Sequence, residues 1–267
     1  MLMNPTRPVL RYHGGKWRLA PWIIEQFPAH RCYVEPFGGA ASVLMRKRRS
    51  QAEVYNDLDG EVVNLFRVVR DPAGAKLLAD VVKLTPFARE EYDAAQEPSD
   101  DPIEQARRTL VKAWMGYGSG ALVESSAGFR ASITERRHTP MEWSQFALVI
   151  PAFTERLTGV LIEHRPASDV IARYDAPDAL HFIDPPYVAA TRGSRHKYRH
   201  EMTDEHHATL AAQLRSLRGM VVLSGYDSPL YAELYSGWTT LRRQARDAVS
   251  NPRNEVLWLS PSIECAA

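Results

Sequence analysis

The sequence predicts an α/β fold: an open, mostly parallel sheet with an antiparallel hairpin at its edge, interrupted by a mainly helical insert. Three observations predict it. Short apolar runs ending in an acid or a glycine turn, within 31–44, 52–57 and 180–187, alternate with helical patterns as in a βαβ sheet. The β signal disappears from Asp71 to about Thr158, where helical segments are separated by Pro86, Pro98 and Pro102. It returns at Gly159 and ends in two strand patterns, near 238–243 and 255–260, that suit an antiparallel pair on the sheet edge.

Tyr12-His13-Gly14-Gly15-Lys16-Trp17 reads as a Gly-Gly turn that opens a helix with Lys16 at its start. A phosphate-binding loop of the Gly-x-x-x-x-Gly-Lys-Ser/Thr kind is excluded, since neither its glycine spacing nor its hydroxyl residue is there. Residues 31–35 then read as a strand, Pro36-Phe37-Gly38-Gly39 as a glycine turn, and the chain from Ala40 as a helix. The two glycines let the backbone approach a ligand, but the run is not Gly-x-Gly-x-x-Gly, so a dinucleotide pyrophosphate is not indicated. A second short strand, Ala52-Glu53-Val54-Tyr55-Asn56-Asp57, ends in an acid whose place at the strand tip suits ribose hydroxyls. The helix after it carries Val62, Val63, Leu65, Phe66 and Val69 on one stripe. Inside the insert, the polar, glycine-rich stretch from Gly116 to Arg130 reads as a loop. Beyond it follow strand 160–163, helix 167–174, strand 180–183, helix 204–217, strand 219–224 and helix 228–236. Thr203 is placed to cap the helix from 204, with Asp204 and Glu205 in its first turn.

The apolar run Leu180-His181-Phe182-Ile183 stops at Asp184-Pro185-Pro186-Tyr187. Proline brings no N–H to a ladder and fixes φ, so the tetrapeptide is a rigid turn at the strand's C-terminal edge, where open α/β sheets bind ligands. A carboxylate, proline carbonyls and an aromatic face suit a planar base with an amino group. Asp184 and the Pro185 carbonyl would accept its two hydrogens while Tyr187 stacks on the ring. Taken alone, the tetrapeptide fits a surface turn with a capping aspartate equally well.

With 33 Lys+Arg against 32 Asp+Glu the formal net charge is +1, so nucleic-acid binding has to rest on local clusters. The densest follows the Asp-Pro-Pro-Tyr turn: Arg192, Arg195, His196, Lys197, Tyr198, Arg199 and His200. Others are residues 46–49, Arg130 with Arg136 and Arg137, and Arg242, Arg243 and Arg246. Cys32 and Cys265 form neither a disulfide framework nor a metal spacing, so a reducing, cytosolic setting is expected. The N-terminus lacks the apolar core of a signal peptide, and no stretch has the length needed to cross a bilayer. His196 and His200, with His206 and His207 nearby, invite a metal, but no cysteine or carboxylate set completes a tetrahedral site, and none is expected.

Four motifs stand in order: aromatic-x-Gly-Gly-Lys at 12–16, Glu-Pro-Phe-x-Gly at 35–39, Asn-Asp at 56–57 and Asp-Pro-Pro-Tyr at 184–187. As a set they resemble the Dam-type DNA adenine methyltransferases, from Tyr12 to the closing segment 251–258. The resemblance implies a Rossmann-like methyltransferase sheet with an inserted target-recognition domain. Residues 1–70 and 159–267 would bind S-adenosylmethionine and carry catalysis; residues 71–158 would be the helical target-recognition insert. The cofactor contacts it implies are Tyr12, Gly14, Gly15, Lys16, Asp57 and Asp184, with Glu35, Pro36, Phe37, Gly38 and Gly39 looped around the methionine part. Asp184, Pro185, Pro186 and Tyr187 would hold a flipped adenine. The partner it implies is double-stranded DNA. The cluster after the turn would place Arg192, Arg195, Lys197, Tyr198 and Arg199 on the strand at the pocket mouth, and Arg130 in the insert would read base edges. Protection against a cognate restriction endonuclease, strand marking for repair and service to a mobile element are all open as roles. One departure stands out. After the third core strand the family usually carries an acid near the cofactor's adenine; here Pro166 stands there, so either Asp169 replaces it or the backbone reads the ring. An amino methyltransferase acting on cytosine or RNA and an inactive DNA-binding relative are the alternatives. An NAD-dependent oxidoreductase is disfavoured by the missing Gly-x-Gly-x-x-Gly.

Overall fold

The computed structural model describes residues 5–118, 122, 128–131, 139–191, 198–246 and 252–264. Among them β1 (Cys32–Glu35), β2 (Ala52–Asn56), β3 (Leu161–Glu163), β4 (Ala179–Ile183), β5 (Met220–Tyr226), β6 (Thr239–Arg246) and β7 (Pro252–Leu259) form one sheet in the order β3-β2-β1-β4-β5-β7-β6. β1 runs parallel to β2 and β4, and β4 to β5, whereas β7 is antiparallel to both β5 and β6. This is the mostly parallel Rossmann-like sheet with an antiparallel edge pair, and β7, the later strand of that pair, lies inside β6. The strand order runs outward from β1 through β2 to β3, then restarts at β4 on the other side of β1. That reversal leaves a crevice at the C-terminal ends of β1 and β4, where sheets of this kind take ligands.

Two compact units make up the chain. One comprises residues 18–38, 47–58 and 163–267. Besides most of the sheet it holds α1 (Ala20–Ile24), and, further along the chain, the helices at Ala167–Arg173, Asp204–Arg215, Pro229–Leu234 and Pro261–Glu264. Ile183, Val221, Leu223, Val256 and Trp258 of its strands pack with Leu210, Ala211, Leu214, Tyr231 and Tyr235. Every residue of β4 is buried, as a middle strand of a parallel sheet requires. Thr203 caps the helix that starts at Asp204 as expected: its hydroxyl accepts from the His206 amide at 3.3 Å, and His206 Nδ1 accepts from the Thr203 amide at 3.2 Å.

The other unit comprises residues 1–17, 39–46 and 59–162. It is helical: α2 (Ser42–Arg46), α3 (Gly60–Arg70), α4 (Pro72–Leu84), α5 (Arg89–Ala94), α6 (Pro102–Met115), α7 (Thr139–Ser144) and α8 (Ile150–Leu157). Asp59, Asp71 and Asp101 cap α3, α4 and α6 by accepting from the amides of Glu61 (3.0 Å), Gly74 (2.7 Å) and Glu104 (2.7 Å). Pro72 and Pro102 open α4 and α6, where a missing N–H costs nothing. α3 buries the expected stripe, with Val68 added. The indole of buried Trp114 donates to the Val9 carbonyl at 3.1 Å, and the Arg7 and Arg11 guanidiniums lie 4.2 and 4.4 Å from its ring centroid.

Two local expectations are corrected. The first helix begins at Ala20, not at Lys16; residues 17–19 are turn, and the Lys16 ammonium folds back to donate to the Gly14 carbonyl at 2.7 Å. α2 begins at Ser42, not Ala40, because Gly39 (φ 47°) and Ala41 (φ 51°) are left-handed and cannot join a right-handed helix. Within the insert, Gly116 and Phe129 form an isolated antiparallel bridge, flanked by bonds from the Tyr117 amide to the Gly128 carbonyl and from the Arg130 amide to the Met115 carbonyl, both 2.8 Å. Among the described residues no helix is long and apolar enough to cross a membrane.

Candidate active site

β4 delivers the Asp-Pro-Pro-Tyr turn to the crevice. Asp184 and Pro186 are half-buried and Pro185 and Tyr187 are buried. The Tyr187 hydroxyl donates to Glu255 Oε2 on β7 at 3.0 Å and lies 2.9 Å from Ser224 Oγ on β5. A phenol has one hydrogen, so donation to the carboxylate leaves its oxygen to accept from Ser224. The ring meets that of Tyr226 edge to face, centroids 4.7 Å apart and planes at 76°. Burial first, then the nearby charges of Asp184 and Glu255, hold the Tyr187 phenol well above its ordinary pKa of 10, against the hydrogen bond with Ser224. Tyr187 is therefore a neutral phenol at physiological pH.

The loop after β1 is built with equal definition. The carboxylate of buried Glu35 accepts from the Tyr33 hydroxyl at 2.7 Å. Behind it, Lys47 Nζ lies 4.5 Å from the Tyr33 ring centroid and pairs with Glu53 at 2.6 Å, both side chains buried. Asn56, at the end of β2, is a strut. Its amide donates to the carbonyls of Pro36 (2.8 Å) and Arg165 (3.0 Å) and accepts from the Arg165 amide (2.9 Å), while its own carbonyl accepts from the Gly38 amide (2.8 Å). One buried side chain thus ties the loop after β1 to the loop after β3. At Gly38 a Cβ would lie 2.1 Å from the Tyr55 ring, so no side chain fits there. Asp57 follows β2, half-buried. Glu35, Asp57 and Asp184 thereby end three neighbouring parallel strands.

In the helical unit, Gly14 (φ 73°) and Gly15 form a tight turn closed by the Gly15 amide on the Tyr12 carbonyl at 3.2 Å, and Lys16 is buried. A Cβ at left-handed Gly39 would lie 3.0 Å from the Tyr12 ring, so Tyr12 covers that glycine. Arg130 is half-buried. Tyr198 is half-buried, its amide 3.1 Å from Glu201 Oε1, and Arg199 is exposed. Arg192, Arg195 and Lys197 lie outside the described residues. Pro166 is exposed at the N-cap of the helix Ala167–Arg173, where its side chain offers no hydrogen-bonding group; Asp169 is exposed one turn on, accepting from the Ser168 hydroxyl at 3.4 Å.

Sequence reasoning missed Ser224, Tyr226 and Glu255. The signals were slight: Ser224 ends a predicted strand, Tyr226 lies two residues beyond its predicted end, and Glu255 is a lone acid opening an apolar run.

A family model described as D12 class N6 adenine-specific DNA methyltransferase matches residues 12–249. The DNA adenine methylase of Salmonella typhi is 25% identical over 248 residues, covering 87% of this chain and 85% of that protein. The DNA adenine methylase of Serratia marcescens is 26% identical over 266 residues, covering 93% and 94%. The type II methyltransferase M1.LlaDCHI of Lactococcus lactis subsp. cremoris is 26% identical over 257 residues, covering 90% and 88%.

Proposed function

The chain belongs to the D12 class of N6 adenine-specific DNA methyltransferases, and from that premise we propose that it methylates the 6-amino group of an adenine flipped out of duplex DNA, using S-adenosylmethionine. The observation that carries the assignment of roles is the turn at the end of β4, with a half-buried carboxylate and an anchored tyrosine at the switch point of the sheet.

The donor set fits the cofactor. Asp57 suits ribose hydroxyls and the buried carboxylate of Glu35, with Pro36, Phe37 and Gly38, suits the methionine part; the assignment of Tyr12, Gly14, Gly15, Lys16 and Gly39 rests on the family resemblance alone. When bound, S-adenosylmethionine supplies a methyl group made electrophilic by a sulfonium. The chain's own task is the nucleophile. The amino nitrogen of adenine is weak because its lone pair is delocalised into the ring. Asp184 and the Pro185 carbonyl, by accepting its two hydrogens, favour a pyramidal nitrogen whose lone pair is free to attack. Tyr187 stacks on the base, and Pro186 stiffens the turn. Positioning supplies most of the rate, with reacting atoms held about 3 to 3.5 Å apart, and Asp184 acts mainly by orientation and charge. Flipping costs a few kcal/mol, recovered from pocket and phosphate contacts.

Residues 1–70 and 159–267 form the catalytic part in this reading, and 71–158 the target-recognition insert, with Arg130 on base edges and Arg192, Arg195, Lys197, Tyr198 and Arg199 along the strand. A cognate restriction endonuclease is one partner compatible with this reading, and resistance of the methylated DNA to such a nuclease tests it. Methylation-sensitive sequencing of DNA from cells expressing the chain tests the activity and reports its site. Asp184→Ala is expected to abolish the mark while leaving the thermal melt unchanged; activity within about tenfold of wild type sinks the orienting role.

A further inference from the structure

We infer that Ser224 and Glu255 are positioning residues for the base site, holding Tyr187 by its hydroxyl so that its ring is set before a base arrives. The inference rests on the reading above, in which Tyr187 stacks on the flipped adenine. A tyrosine ring at the end of a turn has freedom about two side-chain torsions, and a stacking platform that must be ordered on binding loses affinity and rate. Here both freedoms are removed. The hydroxyl is held at 3.0 Å by Glu255 and 2.9 Å by Ser224, and the ring is braced edge to face by Tyr226. The braces come from rigid elements. Tyr226 on β5 and Glu255 on β7 are directly paired in the antiparallel ladder, and Ser224 lies two residues back along β5 on the same face. Stability alone is a poor reason for this arrangement, because a buried carboxylate carries a desolvation cost that an apolar side chain avoids.

The test measures transfer of tritiated methyl groups from S-adenosylmethionine to unmethylated plasmid DNA, with kcat and KM determined for wild type, Glu255→Leu, Glu255→Gln, Ser224→Ala, Tyr187→Phe and Tyr187→Phe/Glu255→Leu. Glu255→Leu is expected to lower kcat about tenfold with the KM for S-adenosylmethionine within about twofold of wild type. Glu255→Gln keeps an acceptor and should stay within about threefold. Since the inference has Glu255 act on methyl transfer through the Tyr187 hydroxyl, the double variant should be no worse than Tyr187→Phe within about twofold. An unchanged kcat in Glu255→Leu, or losses that multiply in the double variant, overturns the inference. Should Glu255→Leu fail to fold, Ser224→Ala, Glu255→Gln and Tyr187→Phe carry the same comparison. A wild-type protein that transfers no methyl group to any DNA refutes the functional reading instead. The Tyr187 hydroxyl proton, observed by NMR as a slowly exchanging resonance, then decides the anchoring by itself. Its loss in Glu255→Leu but not in Glu255→Gln upholds the anchor, and its persistence in Glu255→Leu or its absence from wild type overturns it.

Discussion

His181 lies in the middle of β4, three residues before Asp184, fully buried between Val34 on β1 and Val221 on β5. Neither ring nitrogen has a hydrogen-bond partner among the described residues. Burial pushes its pKa down from 6.5 to about 4, against the opposing charge of Asp175. In the unfolded chain the same imidazole titrates near its ordinary value. Between pH 6.5 and about 4 the unfolded chain therefore binds a proton that the fold excludes. The stability conferred by a neutral His181 is whole above pH 6.5, falls through that window and is gone below about pH 4. The gap between 6.5 and about 4 corresponds to about 3 kcal/mol, with no discount for solvent because the residue is 0% exposed. His181→Leu removes the titration at similar volume, and at pH 7.5 it should stay within about 1.5 kcal/mol of wild type. Urea melts at pH 7.5 and 4.5 are the assay: wild type should lose about 2.5 kcal/mol more than the variant between them. Using the variant as reference cancels the titration of every other group. Stability curves that run parallel from pH 7.5 to 4.5 would refute the buried neutral imidazole.

Asp57→Ala should weaken S-adenosylmethionine binding by about 1 to 3 kcal/mol in calorimetry, the loss of charge-assisted hydrogen bonds to ribose hydroxyls; unchanged affinity in a folded variant removes Asp57 from the ribose. Gly38→Ala should cost about 1 to 3 kcal/mol in a denaturant melt, since its Cβ would lie 2.1 Å from the ring of fully buried Tyr55. Trimming the ring in Gly38→Ala/Tyr55→Leu should then add less than the two single costs, and full additivity argues against the clash. Neutralising two of Arg192, Arg195, Lys197 and Arg199 should weaken binding to all sequences alike and flatten the log–log salt dependence by about two units, whereas Arg130→Ala should change which sequences are methylated. The opposite pattern exchanges the positioning and reading surfaces.

Much of the fold was legible because the forces that make it are local. The apolar run before Asp184, the Thr203 cap and the closing strand pair each carry their instruction within a few residues. Ala40 does not start a helix because its neighbours Gly39 and Ala41 are left-handed, with Gly39 set against the ring of distant Tyr12, whereas at Lys16 the ammonium turns back onto Gly14 two residues away and the helix waits until Ala20. The candidate site was legible in its strand ends, where Glu35, Asp57 and Asp184 follow apolar runs. Its supports were not. Ser224 and Glu255 stand 37 and 68 residues from Tyr187 in sequence, and only strand order makes them neighbours. The amide of Asn56 reaches 109 residues to Arg165 for the same reason.

The place of β7 between β5 and β6 has a consequence for biosynthesis. β7 follows every other strand in chain order, yet it fills an interior position of the sheet. On a ribosome β5 emerges with one side unpaired, and that open edge persists until β7 has been made and has threaded back beside it. Over the same interval Tyr187 waits for an acceptor synthesised 68 residues later. A nascent chain stalled before Glu255 would carry an exposed strand edge and an untethered Tyr187 together, so quality control of the edge is also quality control of the Asp-Pro-Pro-Tyr turn.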